Sequence, residues 1–273
     1  MKILDKKKWI IIFAVLAVLA IAARPLDMLI AEKLYRPESI YGTFFLTAAP
    51  ALAFVLSSFS CAVMMSCRST RTTRTKNRAL TFLFAVLSVL FGAAAGFYPF
   101  MGASDINFIV IAAAALLISG ASVFIAYTSF RDTYQKIAMT KLAKIILIST
   151  AAITVICALA TLIPQRGTFE AVKLYMEKYG KADGPFESTV PFLSFAGAST
   201  AVAAVLTGLT QVLPKLKFSE KFVFIISCVW TLAVIFCSVM TGKMFLSEAV
   251  YGAILGYIIV LAVSVLLEKR EKE

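Results

Sequence analysis

Histidine is missing from this sequence: none of the 273 residues is a histidine. Imidazole is the side chain that most often serves as general acid or base in enzymes, and it is a common metal ligand. Mechanisms and metal sites that depend on histidine are therefore excluded. Charged residues are also scarce, at 15% of the chain, compared with about 25% in a typical soluble domain.

The scarcity of charge accompanies an excess of apolar residues, which make up 60% of the chain. A water-soluble protein of this length would expose apolar patches larger than soluble monomers tolerate. Lipid must therefore solvate much of this surface. We predict an all-α, polytopic integral membrane bundle, with residues 1–273 forming a single transmembrane domain.

Cysteine is present at five positions, all in or at the ends of apolar segments, and no two have the spacing of metal ligands. We interpret these residues as small buried hydrophobic side chains. The sequence predicts neither a metal site nor a cofactor. The cysteines are Cys61, Cys67, Cys157, Cys228 and Cys237.

A bilayer core is crossed by about 20 apolar helical residues, and the sequence offers about eight such segments. The first is the shortest, and it follows Lys6, Lys7 and Lys8 as the apolar region of a signal peptide would. We favour a retained helix, with a cleaved signal peptide as the alternative. The segments are residues 9–23, 42–66, 79–100, 106–130, 145–164, 190–213, 222–241 and 245–267.

The distribution of basic residues predicts the orientation. If the N-terminus is inside, 19 of the 27 lysines and arginines fall in cytoplasmic parts and 8 in outer parts. This is the bias of the positive-inside rule. We therefore expect both termini, and the loops 68–78 and 131–144, on the cytoplasmic side of what we take to be the plasma (cytoplasmic) membrane. The arginine-rich run 68–78 is interpreted as a topology anchor, and lipid or nucleic-acid recognition is its alternative.

The two long outer loops carry apolar residues at helical spacing. Residues 24–41 have Pro25 near their start, and residues 165–188 have Gly180 as a possible stop. We expect a short helix on the outer membrane surface in each loop, or else a plain linker. Glycines four residues apart, at positions 92 and 96 and at 252 and 256, predict close helix packing within one bundle, with dimerisation as the alternative.

Two stretches near the C-terminus carry motifs. Residues 237–256 read CSVMTGKMFLSEAVYGAILG, and residues 194–201 read SFAGASTA. The first resembles the third signature of the type-2 phosphatidic acid phosphatase superfamily, S-R-x5-H-x3-D, together with the small-residue helix that follows it. The second resembles the second signature in the form S-F-P-S-G-H-T-A. The resemblance implies that the last six segments are similar to the lipid-phosphatase core.

The same alignment shows what this chain has lost. The family's nucleophilic histidine falls on Met244, its other catalytic histidine on Ser199, its signature arginine on Ser238 and its aspartate on Glu248. The first signature, K-x6-R-P, has no match, and Arg166 is the nearest basic residue in that loop. If the fold is kept, Ser199, Ser238 and Met244 should converge at the outer ends of their helices.

These losses predict a degenerate, catalytically silent relative. In the family one imidazole attacks phosphorus and a second protonates the leaving group, whereas methionine cannot attack and serine is a poor acid or base near neutral pH. We interpret Ser247 and Glu248 as the cap of the last helix. Lys243 and Arg166 are candidates for binding a phosphate, and snorkelling to the headgroups is their alternative.

The leading functional hypothesis is a catalytically inactive, lipid-phosphatase-like membrane protein that binds a lipid phosphate, or scaffolds partner proteins, at the outer face. Its expected partners are membrane lipids and not nucleic acid. One alternative is a transporter with coincidental similarity, although the segments contain almost none of the mid-membrane ionisable groups that ion coupling needs. Another is an active lipid phosphate hydrolase that uses chemistry outside this family.

Overall fold

The computed structural model describes residues 6–36, 39–66, 74–97, 107–129, 133–162, 220–241 and 245–270. Within these ranges the regular structure is entirely helical, which confirms the predicted all-α class. The predicted segment 190–213 and the loop 165–188 lie outside the described residues. The described helices are α1 (Lys6–Leu34), α2 (Ile40–Ser66), α3 (Arg74–Phe97), α4 (Phe108–Ser129), α5 (Thr133–Leu162), α6 (Glu220–Met240) and α7 (Leu246–Arg270).

Among the described residues, five stretches of helix are long and apolar enough to cross a membrane. Two shorter apolar stretches, Ile10–Ala23 in α1 and Cys228–Met240 in α6, accompany them. Large apolar side chains on the outside of the bundle, such as Leu116, Leu117 and Phe124 of α4, are exposed. The protein is therefore embedded in a membrane. The five stretches are Ile40–Ser66, Arg78–Phe97, Phe108–Ser129, Met139–Ile156 and Ala249–Lys269.

Helix α1 runs well beyond the predicted end at residue 23. Residues 26–34 are helical, as expected, but they continue α1 through Pro25 instead of forming a separate surface helix. Proline removes one helical hydrogen bond, and a helix held by its neighbours tolerates that loss. The 29 residues of α1 span roughly 43 Å at 1.5 Å per residue, so α1 is longer than the bilayer core of about 30 Å.

Helix α5 also extends beyond its apolar run. It begins at Thr133, so most of the predicted inner loop 131–144 is helical. Lys141, which was expected in that loop, is only 7% exposed. Met139 and Leu142 beside it pack in a cluster with α2 and α4. A drop in hydropathy marks the edge of the lipid, whereas a helix can continue past that edge wherever neighbouring helices cover it.

The bundle is organised around α2 and α7. Helix α2 contacts α3, α4, α5 and α6, while α7 contacts α1, α5 and α6. One apolar core joins α1, α5, α6 and α7 through residues such as Ile12, Ile145 and Val260. A second core joins α2, α4 and α5 through Val63, Ala126 and Leu142.

Small residues allow α3 and α4 to pack closely. A Cβ atom placed on Gly92 would lie 2.8 Å from the carbonyl oxygen of Ala115, and one placed on Gly96 would lie 2.9 Å from the Cβ of Ala114. Both distances are shorter than ordinary van der Waals contacts. The prediction that this glycine pair serves packing within one bundle is thereby confirmed.

Serine hydroxyls link α2 to its neighbours inside the bundle. The Ser58 hydroxyl donates to the carbonyl oxygen of Ser88 at 2.9 Å, and the Ser88 hydroxyl donates to that of Ser58 at 3.2 Å. The Ser57 hydroxyl donates to the Thr150 hydroxyl of α5 at 3.1 Å. Pairs of this kind satisfy buried polar groups where no water is available.

Candidate functional site

Four helix ends meet at one end of the bundle, which we call the junction: the ends of α1 and α6 and the starts of α2 and α7. The backbone N–H of Arg36, just after α1, donates to the carbonyl oxygen of Met240, the last residue of α6, at 2.7 Å. At Gly42, near the start of α2, an added Cβ would overlap the Thr241 methyl and lie 3.2 Å from the Met240 Cε. The connection between α1 and α2 is therefore fixed against the end of α6.

Asp27 of α1 caps the N-terminus of α7. The first helical bond of α7 runs from the Ala249 N–H to the Phe245 carbonyl oxygen at 3.1 Å, so the N–H of Ser247 has no acceptor within its own helix. The Oδ1 atom of Asp27 accepts this N–H at 2.9 Å, and its Oδ2 atom accepts a short hydrogen bond from the Ser247 hydroxyl. A carboxylate at this position also interacts favourably with the positive end of the helix dipole.

This arrangement corrects the predicted cap of the last helix. Ser247 lies inside the first turn of α7, and its hydroxyl donates to Asp27 instead of accepting a backbone N–H. The capping acceptor thus comes from a different helix, 220 residues away in the sequence. The backbone of Glu248 belongs to the first turn of α7, and its side chain lies outside the described residues.

The polar groups at the end of α6 are directed to their own helix. Ser238, the position of the family's arginine in the predicted alignment, is 1% exposed, and its hydroxyl donates to the Val234 carbonyl oxygen at 2.6 Å. The Thr241 hydroxyl donates to the Cys237 carbonyl oxygen at 2.9 Å. Both hydroxyls therefore bond back to carbonyl oxygens of their own helix.

The other predicted site residues lie outside the described part of the chain: Ser199, Met244, Lys243 and Arg166. The convergence of Ser199, Ser238 and Met244 therefore stays a prediction. Among the described residues, no group of three or more histidine, cysteine, aspartate or glutamate side chains could hold a metal ion.

Sequence reasoning missed Asp27 and Arg36 as residues of the junction. Asp27 follows the first apolar segment by a few residues, which is where acidic residues are often simply solvated. Arg36 sits before a proline, which suggested only the end of a helix. Its side chain is exposed while its backbone is fixed to α6. Their spacing in the sequence does not indicate that both lie next to the stretch 237–256, which is about 200 residues further along the chain.

The chain was compared with protein-family models, with curated proteins and with solved structures, and no match was found in any of the three.

Proposed function

We propose that this protein is a catalytically silent relative of the type-2 phosphatidic acid phosphatases that binds a phosphorylated lipid at the outer face of the plasma membrane. In this proposal eight helices cross the bilayer, both termini are cytoplasmic, and the last six helices correspond to the lipid-phosphatase core. The junction then lies at the outer face.

The proposal that the protein is catalytically inactive rests on the absence of histidine. No imidazole exists anywhere in the chain to attack phosphorus or to protonate a leaving group. The described serine and threonine hydroxyls of the signature-like stretch are engaged elsewhere: those of Ser238 and Thr241 donate within α6, and that of Ser247 donates to Asp27. This arrangement provides structural hydrogen bonds instead of an activated nucleophile.

Exposed cations at the junction support the proposal of lipid binding. Lys33, in the last turn of α1, and Arg36, fixed beside the end of α6, are both exposed. A guanidinium forms strong, often bidentate hydrogen bonds with phosphate. Lys243 lies in the short α6–α7 connection, and Arg166 is assigned to the same face by the predicted topology. A lipid phosphate could therefore approach the junction from the membrane surface.

Two measurements test this function. Purified protein should release no inorganic phosphate from phosphatidate above a protein-free control, and turnover retained after Ser199→Ala and Lys243→Ala would contradict catalytic silence. In phosphatidylcholine nanodiscs, the protein should bind soluble dihexanoyl phosphatidate more tightly than dihexanoyl phosphatidylserine, which separates recognition of a terminal phosphate from general attraction to anionic lipid.

An arginine pair provides the matched control for the binding measurement. Arg36 and Arg78 are both exposed, and they lie towards opposite ends of the bundle. Arg36→Ala should weaken phosphatidate binding, and Arg78→Ala should leave it unchanged. Equal effects of the two substitutions would show that only the overall positive charge matters, and no preference for phosphatidate would contradict the proposed ligand.

A further inference from the structure

The described hydrogen bonds between helices fall into two groups. Bonds of the first group join α1, or the residues just after it, to α6 and α7, and they join α6 to α7. Bonds of the second group join α2 to α3 and α5. The two apolar cores follow almost the same division, because α1, α6 and α7 share one core and α2, α3 and α4 share the other. The pairs are Asp27–Ser247, Arg36–Met240 and Thr231–Tyr257 in the first group, and Ser57–Thr150 and Ser58–Ser88 in the second.

Helix α2 changes from one group to the other along its length. Near its start it packs against α6: Gly42 lies against Thr241, and the ring centroid of Phe45 is 5.3 Å from that of Trp230. Beyond Pro50, its serine hydroxyls bond to α3 and α5, and its apolar side chains join the second core. The change of partners therefore coincides with the proline inside this helix.

These groups define two units of the bundle. The terminal unit comprises α1, α6, α7 and residues 40–49 of α2, and the central unit comprises α3, α4, α5 and residues 51–66 of α2. All four helix ends of the junction belong to the terminal unit. Two features connect the units: the chain of α2 at Pro50, and the contact of α5 with α7, where Ile145 joins the apolar core of the terminal unit.

We propose that Pro50 is a hinge: the terminal unit turns about it relative to the central unit, while α7 slides along α5. Proline has no N–H, so the Leu46 carbonyl oxygen lacks the donor that a helix normally provides, and α2 bends more readily there than elsewhere. Hinges combined with small sliding movements of packed helices are a common form of conformational change. The inference does not rest on the proposed function, because it concerns the movement of the helices and not the ligand.

The contact of α5 with α7 also includes a polar group without a partner. The Ser149 hydroxyl is fully buried and has no hydrogen-bond partner among the described residues. Ser149 follows Ile145 by four residues, so the two lie on the same face of α5. A buried hydroxyl without a hydrogen bond is unfavourable. The described arrangement of α5 against α7 is therefore not the best one for Ser149, and a movement of α7 along α5 can supply the missing partner.

The expected movement is large enough to measure. A change of about 20° in the bend at a proline moves the start of α2, which lies ten residues or roughly 15 Å from the hinge, by about 5 Å. The junction moves with it, because its helix ends are bonded to one another. The distance between the junction and the helices of the central unit should therefore take more than one value.

The experiment measures distances by double electron–electron resonance in nanodiscs, with spin-labelled noncanonical amino acids that leave the native cysteines unchanged. One pair of labels replaces Tyr41 at the start of α2 and Leu117 of α4, so it spans the two units. The second pair replaces Phe82 of α3 and Leu117, so it lies within the central unit. All three side chains are exposed. The first pair should show two populations about 5 Å apart, and the second pair should show one.

Two proline variants make the test specific to the hinge. Pro50→Ala gives α2 the missing N–H and should reduce the first pair to one population. Pro25→Ala is the matched control, because Pro25 also lies inside a helix but α1 contacts α7 on both sides of it, through the core that contains Ile12 and through Asp27. This control should keep both populations.

The outcomes decide the proposal as follows. Two populations of the first pair that become one in Pro50→Ala, but not in Pro25→Ala, support the hinge. A single wild-type population as narrow as that of the second pair overturns it, and so do two populations that Pro50→Ala leaves unchanged or that both proline variants abolish. If Pro50→Ala does not fold, the wild-type comparison of the two label pairs decides.

Discussion

Replacing Gly96 by alanine should push α3 and α4 apart. The new methyl group would lie 2.9 Å from the Ala114 Cβ, a distance that real Cβ atoms essentially never show. The Ala114 Cβ is attached directly to the backbone of α4, so it cannot turn away as the end of a long side chain could. The helices themselves must shift to accommodate the substitution.

The expected change in the free energy of unfolding follows from two opposing terms. Overpacking costs about 1–3 kcal/mol, and a rigid neighbour favours the upper half of that range. Replacing glycine by alanine in a helix returns about 0.8–1 kcal/mol. Gly96→Ala should therefore destabilise the protein by about 1–2 kcal/mol.

A compensating substitution makes this prediction specific. Ala114→Gly removes the atom that Gly96→Ala would meet, so the double variant moves one methyl group from α4 to α3 and keeps the helix propensities balanced. Ala114→Gly alone should cost about 1 kcal/mol. The double variant should be nearly as stable as wild type, giving a coupling energy of about 2–3 kcal/mol between the two sites.

The free energies can be measured by titrating the protein with denaturing detergent in bicelles and following tryptophan fluorescence. Gly120→Ala is the matched control: apart from the adjoining backbone of α4, no atom of the described residues lies within 4 Å of the added Cβ, so it should be neutral or stabilise by up to about 1 kcal/mol. A stable Gly96→Ala variant, with no coupling to Ala114→Gly, would refute the close approach of the two helices.

Three further results are expected. Ser88→Ala should destabilise the bundle by about 0.5–1.7 kcal/mol because it removes the hydrogen bond that the Ser88 hydroxyl donates to the Ser58 carbonyl oxygen. Ser119→Ala, whose hydroxyl donates to a carbonyl of its own helix, should cost less, and equal costs would contradict a role in joining α2 to α3. The first helix should remain uncleaved, because Ala20 and Ala23, which flank the possible cleavage site, are buried in the bundle with 6% and 1% of their surface exposed. The intact mass of protein purified from membranes should therefore include residues 1–23, and a product starting at residue 23 or 24 would show that the apolar part of α1 is removed. A single cysteine introduced at position 74 should react with a membrane-impermeant reagent only after the cells are opened, and labelling of intact cells would reverse the proposed orientation.

Hydropathy located most of the described helices because an apolar run marks where lipid meets the chain. Helices α2 and α4 begin and end within two residues of the predicted segments 42–66 and 106–130. Hydropathy did not predict the C-terminal extension of α1 or the N-terminal extension of α5. In both extensions polar residues continue the helix where other helices cover it. Lys141 shows the reason: its charge suggested a solvated loop, but its burial depends on the partners of α5.

The junction was only partly visible in the sequence. The signature-like stretch pointed to the α6–α7 connection, and the chemistry of Ser247 pointed to a helix cap. The acceptor that caps α7 could not be found in this way, because its position depends on how α1 packs against α7. No local spacing or periodicity connects Asp27 to a residue 220 positions later.

The contact between the first and last described helices also sets an order for biogenesis. At roughly 5–20 residues per second, the ribosome needs roughly 11–44 s to synthesise the 220 residues that separate Asp27 from Ser247. During this interval the face of α1 that will meet α7 must be covered by lipid, by other helices or by the insertion machinery. The bundle can therefore be completed only after α7 has been synthesised. In a chain truncated before α7, the face of α1 that normally packs against α7 would remain without that contact.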